Sequence, residues 1–341
     1  MKKTLFIVTL LLGFIGNSQS LSELYKEVNS AVVIIDILSV KPIMKNNDQK
    51  LIAQSAQGSG ILISDDGCIW TAAHVVQSAE VVRVEFLDGD VYEAEVLSSN
   101  PQADVAMIKI MDNFKLKNKK PVKIGNSNEL QIGEDVFVVG APLRLKQSLS
   151  KGILSGRHIP QSLGNGFVKI EFLQTDAAIN SGNSGGPMFN MKGEVIGITS
   201  SIYSSSGGFN GIGFAASSNV AKKLLMDESN IWTGMESIAI AGNIARALNV
   251  PQESALLVLS LSSKGAANKL GLQGGSIPAI IDGTELLIGG DIILDFAGVK
   301  FQGNDFQELI REKYDAYNKG DKIPITVLRN GKIGTIVFKK E

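Results

Sequence analysis

The sequence predicts a mainly β protein, with two antiparallel barrels or sandwiches followed by a smaller α+β unit. Three observations carry this. From about residue 30 to 216 apolar and polar residues alternate with period two, in short runs broken by turns. Glycine is abundant (36) and proline scarce (9), which suits many short strands joined by tight turns. After "DESNIWTGME" the pattern changes to strands mixed with helical segments, the mark of a separate unit of about 100 residues.

At the N-terminus Lys2 and Lys3 precede the apolar run "LFIVTLLLGFIG", and Ser18 and Ser20 supply small residues for a cleavage site after Ser20. Residues 1–20 therefore read as a cleaved export signal, with the periplasm as destination. The run is shorter than the ~20 residues that span a bilayer. The alternative is a retained signal that leaves the protein membrane-associated.

Within the alternating region, "VVRVEFLDGDVYEAEVL" predicts a hairpin. Val82, Val84 and Phe86 alternate with Arg83 and Glu85, and Asp88-Gly89 turns the chain. "GSGILISDDGCIWTA" repeats the design around Asp66-Gly67, and "VAMIKI", "DVFVVG", "GFVKIEFLQT", "GEVIGITSSIY" and "GIGFAA" add strands. Ser217 or Ser218 could cap a closing helix at "SSNVAKKLLMDE". "KPIMKNNDQKLIAQSAQ" lacks a pattern and reads as a mobile loop. In the last unit "ALLVLSL", "DIILDF", "IPITVLR" and "IGTIVFKK" predict strands, and "GAANKLG" and "NDFQELIREKYDAYN" helices.

Composition removes several function classes. A net charge of −1 with no basic block argues against a nucleic-acid partner. One cysteine, Cys68, cannot form an intrachain disulfide, and its apolar surroundings predict a buried, inert thiol. With only two histidines beside it, no metal site is expected, and no cofactor either.

The chemistry concentrates in "QTDAAINSGNSGGPMF", where Ser184 is flanked by Gly182, Gly185 and Gly186. Such a cluster is either an ordinary turn or a place where backbone must come close to something bound. A serine hydroxyl needs a base within reach. The chain offers His74 in "TAAHVV" and His158 in "GILSGRHIP", the latter at a strand end where a neutral histidine needs no special role. A base also needs an orienting carboxylate, and Asp104 in "NPQADVAMIKI", at the head of an apolar strand, is the best candidate. The order His74, Asp104, Ser184 is that of one of the convergent triad arrangements.

These segments resemble the HtrA (DegP/DegQ/DegS-like) family of serine proteases. "GSGILISDDGCIWTAAHVV" is similar to its histidine segment, "NPQADVAMIKI" to its aspartate segment and "QTDAAINSGNSGGPMFNMKGEVIGI" to its serine segment. The resemblance extends over residues 22–341 and implies a chymotrypsin-like double β-barrel at 21–230 and a PDZ domain at 235–341. It makes Ser184 the nucleophile, His74 the general base and Asp104 its orienter. An oxyanion hole then comes from the N–H groups of Gly182 and Ser184 around Asn183.

The same resemblance places the specificity pocket at Ala178, Ile179 and Asn180 and at Gly211, Ile212 and Gly213. An apolar, shallow pocket for Val or Ala follows, because trypsin-like enzymes carry a carboxylate where Ala178 stands. "VVGAPLRLKQSLSKGILSG" departs from the family pattern at Ala141 and Arg144, in the region of its activation loop. Trp70 is read as core. In the last unit "KGAANKLGLQGG" and "LIGGDIILDFAGVKF" resemble PDZ signature stretches, with a longer segment "SIPAIIDGTELLI" between them. The implied peptide groove runs from the loop at Ser254, Ala255, Leu256 and Leu257 along the strand from Val258. Phe306, Leu309 and Ile310 face it, and it takes peptide C-termini as an added strand.

The function implied is an exported, ATP-independent serine endopeptidase acting on unfolded or misfolded proteins, assembled as a homotrimer or larger homo-oligomer. The alternative in another class is a peptide-binding chaperone or regulatory protein with an inactive or locked site. A small-ester hydrolase is disfavoured, because the chain lacks the strand–helix alternation of α/β-hydrolases.

Overall fold

The computed structural model describes residues 20–45, 48–111, 114–141, 147–160, 170–180, 182–202, 209–228, 231–302 and 306–340. The expected signal segment and Arg144 lie outside these, apart from Ser20.

Two closed six-stranded antiparallel barrels come first. In the first, β1 (Val32–Lys45), β2 (Asp48–Leu62), β3 (Cys68–Thr71), β4 (Val81–Glu85), β5 (Val91–Asn100) and β6 (Val105–Ile110) close in the order β1-β2-β3-β6-β5-β4. In the second, β7 (Asp135–Gly140), β8 (Ser148–His158), β9 (Phe172–Thr175), β10 (Pro187–Asn190), β11 (Val195–Ile202) and β12 (Gly213–Ser217) close as β10-β11-β12-β9-β8-β7. The Asp66-Gly67 and Asp88-Gly89 turns fall between strands as the alternation predicts, with both glycines at positive φ. Trp70, Ile35, Ile61, Val84 and Ile108 fill the first barrel, and Val136, Leu154, Leu173 and Ile196 the second.

Helix α1 (Leu21–Val28) precedes β1 and buries Leu24 and Val28 in the first core. Its capping box, Ser20 with Glu23, was present in the sequence as Ser-x-x-Glu, at a serine read only as a cleavage position. Helix α2 (Ala73–Val76) follows β3. Helix α3 (Ser218–Lys222) is capped by Ser217, whose hydroxyl accepts from the Val220 N–H, and runs on as a wider turn through Asp227.

The segment read as a mobile loop is instead an arm. β1 and β2 stay in register from Val32 opposite Ile61 out to Lys45 opposite Asp48. Along β2 the arm has both faces in water, as the adjacent Leu51 (72% exposed) and Ile52 (42%) show. One-sided burial, the cause of alternation, is therefore absent there.

The C-terminal unit holds β13 (Met235–Ala241), β14 (Ser254–Leu261), β15 (Ile277–Ile281), β16 (Thr284–Ile288), β17 (Ile292–Phe296), β18 (Val299–Lys300), β19 (Lys322–Arg329) and β20 (Lys332–Lys339). Its main sheet runs β13-β14-β17-β19-β20, with β18 on β17, while β15 and β16 form a separate hairpin over the long segment noted in the sequence. Among the described residues three helices complete it: α4 (Gly242–Ala247), α5 (Ala266–Lys269) and α6 (Phe306–Ala316). Helix α4 has no counterpart among the predicted elements.

Asp291, fully buried, accepts two hydrogen bonds from Arg329 (2.6 and 2.7 Å) and one from the Gln273 N–H (2.9 Å). Removing the cation strands a buried carboxylate. Arg329→Met is therefore expected to cost about 3 kcal/mol, the low end for a broken buried pair because the arginine is one-third exposed. A urea titration of the full chain reads this directly.

The two halves meet at the end of α2. Gln77 donates to the Met235 carbonyl (2.8 Å) and to Thr233 (3.2 Å), and its own carbonyl accepts from the Trp232 indole (3.1 Å). Ser262 donates to the Ala79 carbonyl (2.8 Å), Ser263 bonds Glu80, and Lys41 pairs with Glu236 at 3.0 Å.

Candidate active site

Helix α2 is short, but Ala73, Val75 and Val76 are buried and pin it, which turns His74 outward with its side chain 52% exposed. Asp104 arrives from the β5–β6 connection. There the Asn100 side chain accepts from the Gln102 and Ala103 N–H groups and folds a turn. Asp104 itself sits at φ +52°, in the left-handed region that Asp tolerates better than most residues.

Its carboxylate lies 2.9 and 2.8 Å from His74 Nδ1 and accepts the His74 backbone N–H at 3.0 Å. Nδ1 is thus the protonated nitrogen of the neutral ring, and Nε2 is left as the basic one. Burial alone would lower the imidazole pKa. The hydrogen bonds and charge of Asp104 outweigh it and hold the group above its ordinary value of about 6.5.

As a general base His74 would work only when neutral, so its raised pKa is expected to move the acid limb of kcat/KM upward, to above about pH 6.5. A pH–rate profile checks this. Asp104→Asn should remove the support and the correct tautomer together, at a cost of roughly 10⁴-fold in turnover.

Ser184 stands on a turn clamped between the barrels. Gly182 and Gly185 hold φ of +100° and +82°. A Cβ at Gly186 would lie 2.7 Å from the Val139 carbonyl oxygen. The turn is fastened by Ser59 N–H to the Ser184 carbonyl (2.8 Å), Gly185 N–H to the Thr199 carbonyl (2.7 Å) and Thr199 N–H to the Gly186 carbonyl (2.8 Å). The Thr199 hydroxyl also donates to the Asn183 carbonyl. Among the described residues no group accepts from the N–H of Gly182 or Ser184, which leaves both donors available to an oxyanion. Asn183 is buried between them, its side-chain oxygen turned toward Gly140.

The Ser184 hydroxyl donates to the Ser200 carbonyl at 3.5 Å, and the Ser200 hydroxyl donates to Asp104 at 2.5 Å. The structure thus joins Asp104 to His74 directly and to Ser184 through Ser200. A direct Ser184–His74 bond is not made among these contacts, and in enzymes without substrate such bonds are often long.

Sequence reasoning missed two residues here. Ser200 bridges two members of the site. Ser59, fully buried, donates to the Gly182 carbonyl (2.6 Å) and accepts from the Ala141 N–H (3.0 Å), so it ties the turn to β2 and to the end of β7. Neither had a signal in one sequence, since both act across distant elements.

The predicted pocket residues gather in the second barrel. Ile179 is buried, and its Cδ1 would lie 2.7 Å from a Cβ at Gly213, so the isoleucine fills the space that the glycine leaves. The Ala178 carbonyl accepts from Ser150 (2.8 Å), Asn180 and Gly211 are exposed, and Ile212 is half-buried. His158, the other histidine, is exposed at the end of β8 with its ring 6.0 Å from that of Phe214. Trp70 is wholly buried, while Cys68 is half-buried rather than buried, its sulfur 3.7 Å from Lys109 Nζ.

The peptide groove read from the sequence is not where the sheet can take a strand. β14 pairs with β13 along its whole length on one side. On the other it pairs with β17 at Leu256 and Leu257, and Val258 donates to the Asp291 carbonyl. Ala255, Leu257 and Val258 are buried and Leu256 is half-buried, so they are core. Phe306 packs on Phe301 with ring centroids 5.8 Å apart, Ile310 is half-buried, and Leu309 is 42% exposed. The strand that ends the sheet is β13, whose Ser237, Ala239 and Ala241 are exposed.

Residues 58–198 match the trypsin-like peptidase domain family. A probable periplasmic serine endoprotease, DegP-like, of Pseudomonas putida strain F1 is 34% identical over 300 residues, which are 86% of this chain and 57% of that protein. A protein of the same description from Pseudomonas fulva is 37% identical over 243 residues, covering 69% of this chain and 49% of the relative. The chain therefore spans about half the length of the curated relatives it matches. Among solved structures, an HtrA-type protease, AlgW with decapeptide, aligns at TM-score 0.52 and 26% identity over 94% of this chain and 98% of that one. AlgW with tripeptide aligns at 0.52 and 27%, over 94% and 96%.

Proposed function

We propose that this chain is a serine protease of the HtrA type, an exported endopeptidase that degrades unfolded or damaged proteins without ATP. The supporting observation is the convergence of the His74–Asp104 pair and Ser184 on one residue, Ser200. In this mechanism the Ser184 hydroxyl turns from the Ser200 carbonyl to the basic nitrogen of His74, Nε2. The base takes the hydroxyl proton as oxygen attacks the peptide carbonyl, and Asp104 stabilises the imidazolium. The Gly182 and Ser184 N–H groups hold the oxyanion. His74 then protonates the leaving amine, and water, activated by the same ring, releases the acyl group.

Ile179 lying against Gly213 supports a shallow pocket for a small aliphatic side chain. One methylene there discriminates by only about 1–3 kcal/mol, as suits an enzyme of broad appetite. The C-terminal unit is proposed to act as a PDZ domain, with β13 rather than β14 as the strand to which a peptide C-terminus adds. Periplasmic export by the N-terminal segment and assembly as a trimer or larger oligomer belong to the same reading. No helix among the described residues is long and apolar enough to cross a membrane.

One observation favours a second reading, a binding protein with a locked site: the Ser184 hydroxyl faces a carbonyl rather than the base. A fluorophosphonate probe with unfolded casein decides between them. Labelling at Ser184 with cleavage of casein supports the enzyme. Binding of casein without labelling or cleavage supports the locked protein.

A further inference from the structure

Beside His74 a cleft of about 580 Å³ opens between the first barrel and the C-terminal unit. Its floor includes His74 and Asp104. One wall is the root of the β1–β2 arm, with Ser39, Lys41 and Ser55, and the other is the start of β13, with Glu236 and Ser237. We propose that this cleft binds the residues on the C-terminal side of the scissile bond, so that the C-terminal unit forms part of the protease's substrate site. The inference rests on the endopeptidase reading and extends it to the leaving half of the substrate.

Three observations carry it. The first is direction. Ala178, Ile179 and Gly213, which would hold the acyl half, belong to the second barrel, so the acyl half lies on that side of Ser184. The amine that His74 protonates leaves beside that ring, which the first barrel carries, and there the cleft opens.

The second is construction. Both walls are fixed: Lys41 and Glu236 join them at 3.0 Å, and Ser260 donates to Glu236 at 2.5 Å. Gln77, three residues after His74, is held by the Met235 carbonyl and by Ser99 (3.0 Å). Burial alone would raise the Glu236 pKa, but its bonds from Ser260 and Lys41 hold it below the usual carboxylate range, so the joint stays ionised at neutral pH.

The third is chemistry. The cleft's lining mixes hydroxyl, amide and charged groups with apolar ones such as Ile37, Val75 and Met235, and its β13 wall lies at the first residues of that strand, Met235 to Ser237. An extended polypeptide, with backbone groups to hydrogen-bond and side chains to bury, matches such a mixed lining. The volume falls within the range of sites that enclose a short peptide or similar ligand.

The test compares two substrates with the same acyl half. One is a peptidyl p-nitroanilide, which has no residues after the scissile bond. The other is an internally quenched peptide with four residues there. The readout is the ratio of their kcat/KM values, for the wild type, Ser237→Trp and Ser55→Trp. The two tryptophans fill the cleft from opposite walls at exposed positions, and a thermal melt confirms that each variant is folded. The expected result is a rise of about tenfold in kcat/KM as the four residues are added to the wild-type substrate, lost in both variants mainly through KM. A ratio that is independent of length, or unchanged in both folded variants, would overturn the inference while leaving the protease reading intact. Failure of the wild type to cleave either substrate would overturn both.

Discussion

Ser184→Ala is expected to reduce turnover of unfolded casein by about 10⁶-fold, the scale seen when the nucleophile of a serine protease is removed. Stability should change by no more than about 0.5 kcal/mol. The two expectations come from different parts of the residue. The hydroxyl is half-buried and makes one long hydrogen bond, 3.5 Å to the Ser200 carbonyl, so its loss takes little from the fold. The backbone of Ser184, by contrast, is held by the Ser59 N–H at 2.8 Å, and alanine keeps that bond and the free N–H beside it. The variant should therefore still bind substrate and present its oxyanion donors, yet lack the atom that forms the acyl-enzyme. Equal casein cleavage by variant and wild type, by a purified-protein assay, would remove Ser184 from the mechanism.

Most of the double barrel was legible because each strand there has one face in a core. Val82, Val84 and Phe86 show the period directly, and Asp88-Gly89 marks the turn. Legibility failed wherever that cause was missing. The β2 strand of the β1–β2 arm is exposed on both faces from Lys50 to Ala56 and carries no alternation, so it read as a loop. β14 failed in the opposite way. Ala255, Leu257 and Val258 are apolar because they are core, and nothing local says that both edges of their strand are occupied.

The site divides along the same line. His74, Asp104 and Ser184 stood out because each sits in a distinctive short segment and histidine is rare in this chain, whereas nothing beside Ser59 or Ser200 marks either serine as part of the site. Their importance comes from contacts across 123 residues, Ser59 to Gly182, and 96 residues, Ser200 to Asp104. Register and barrel closure create those contacts, and single-sequence pattern does not contain them.

The glycine cluster around Ser184 raises the question of whether backbone is bare there for a ligand or for the protein itself. At Gly185 the answer is the protein. A Cβ there would lie 2.2 Å from Thr71 Oγ1, 2.4 Å from the Ser59 carbonyl oxygen and 2.8 Å from the Ala72 nitrogen, all on the first barrel. The φ of +82° adds a second penalty for any side chain. Overpacking costs about 1–3 kcal/mol, and the left-handed backbone about 1–2 more. Gly185→Ala is therefore expected to lose more than about 3 kcal/mol and, in whatever fraction stays folded, most of its turnover. The turn can relieve the overlap only by lifting off the first barrel, which moves Ser184 away from the strand and helix that carry His74 and stretches the Gly185 N–H bond to the Thr199 carbonyl. Gly89→Ala separates the two penalties. Gly89 has nearly the same φ, +86°, but nothing within 4 Å of its added Cβ, so it should lose only the backbone cost of about 1–2 kcal/mol and keep full activity. Urea titrations of the two variants with equal midpoints would mean that the contact between the serine turn and the first barrel does not constrain the site.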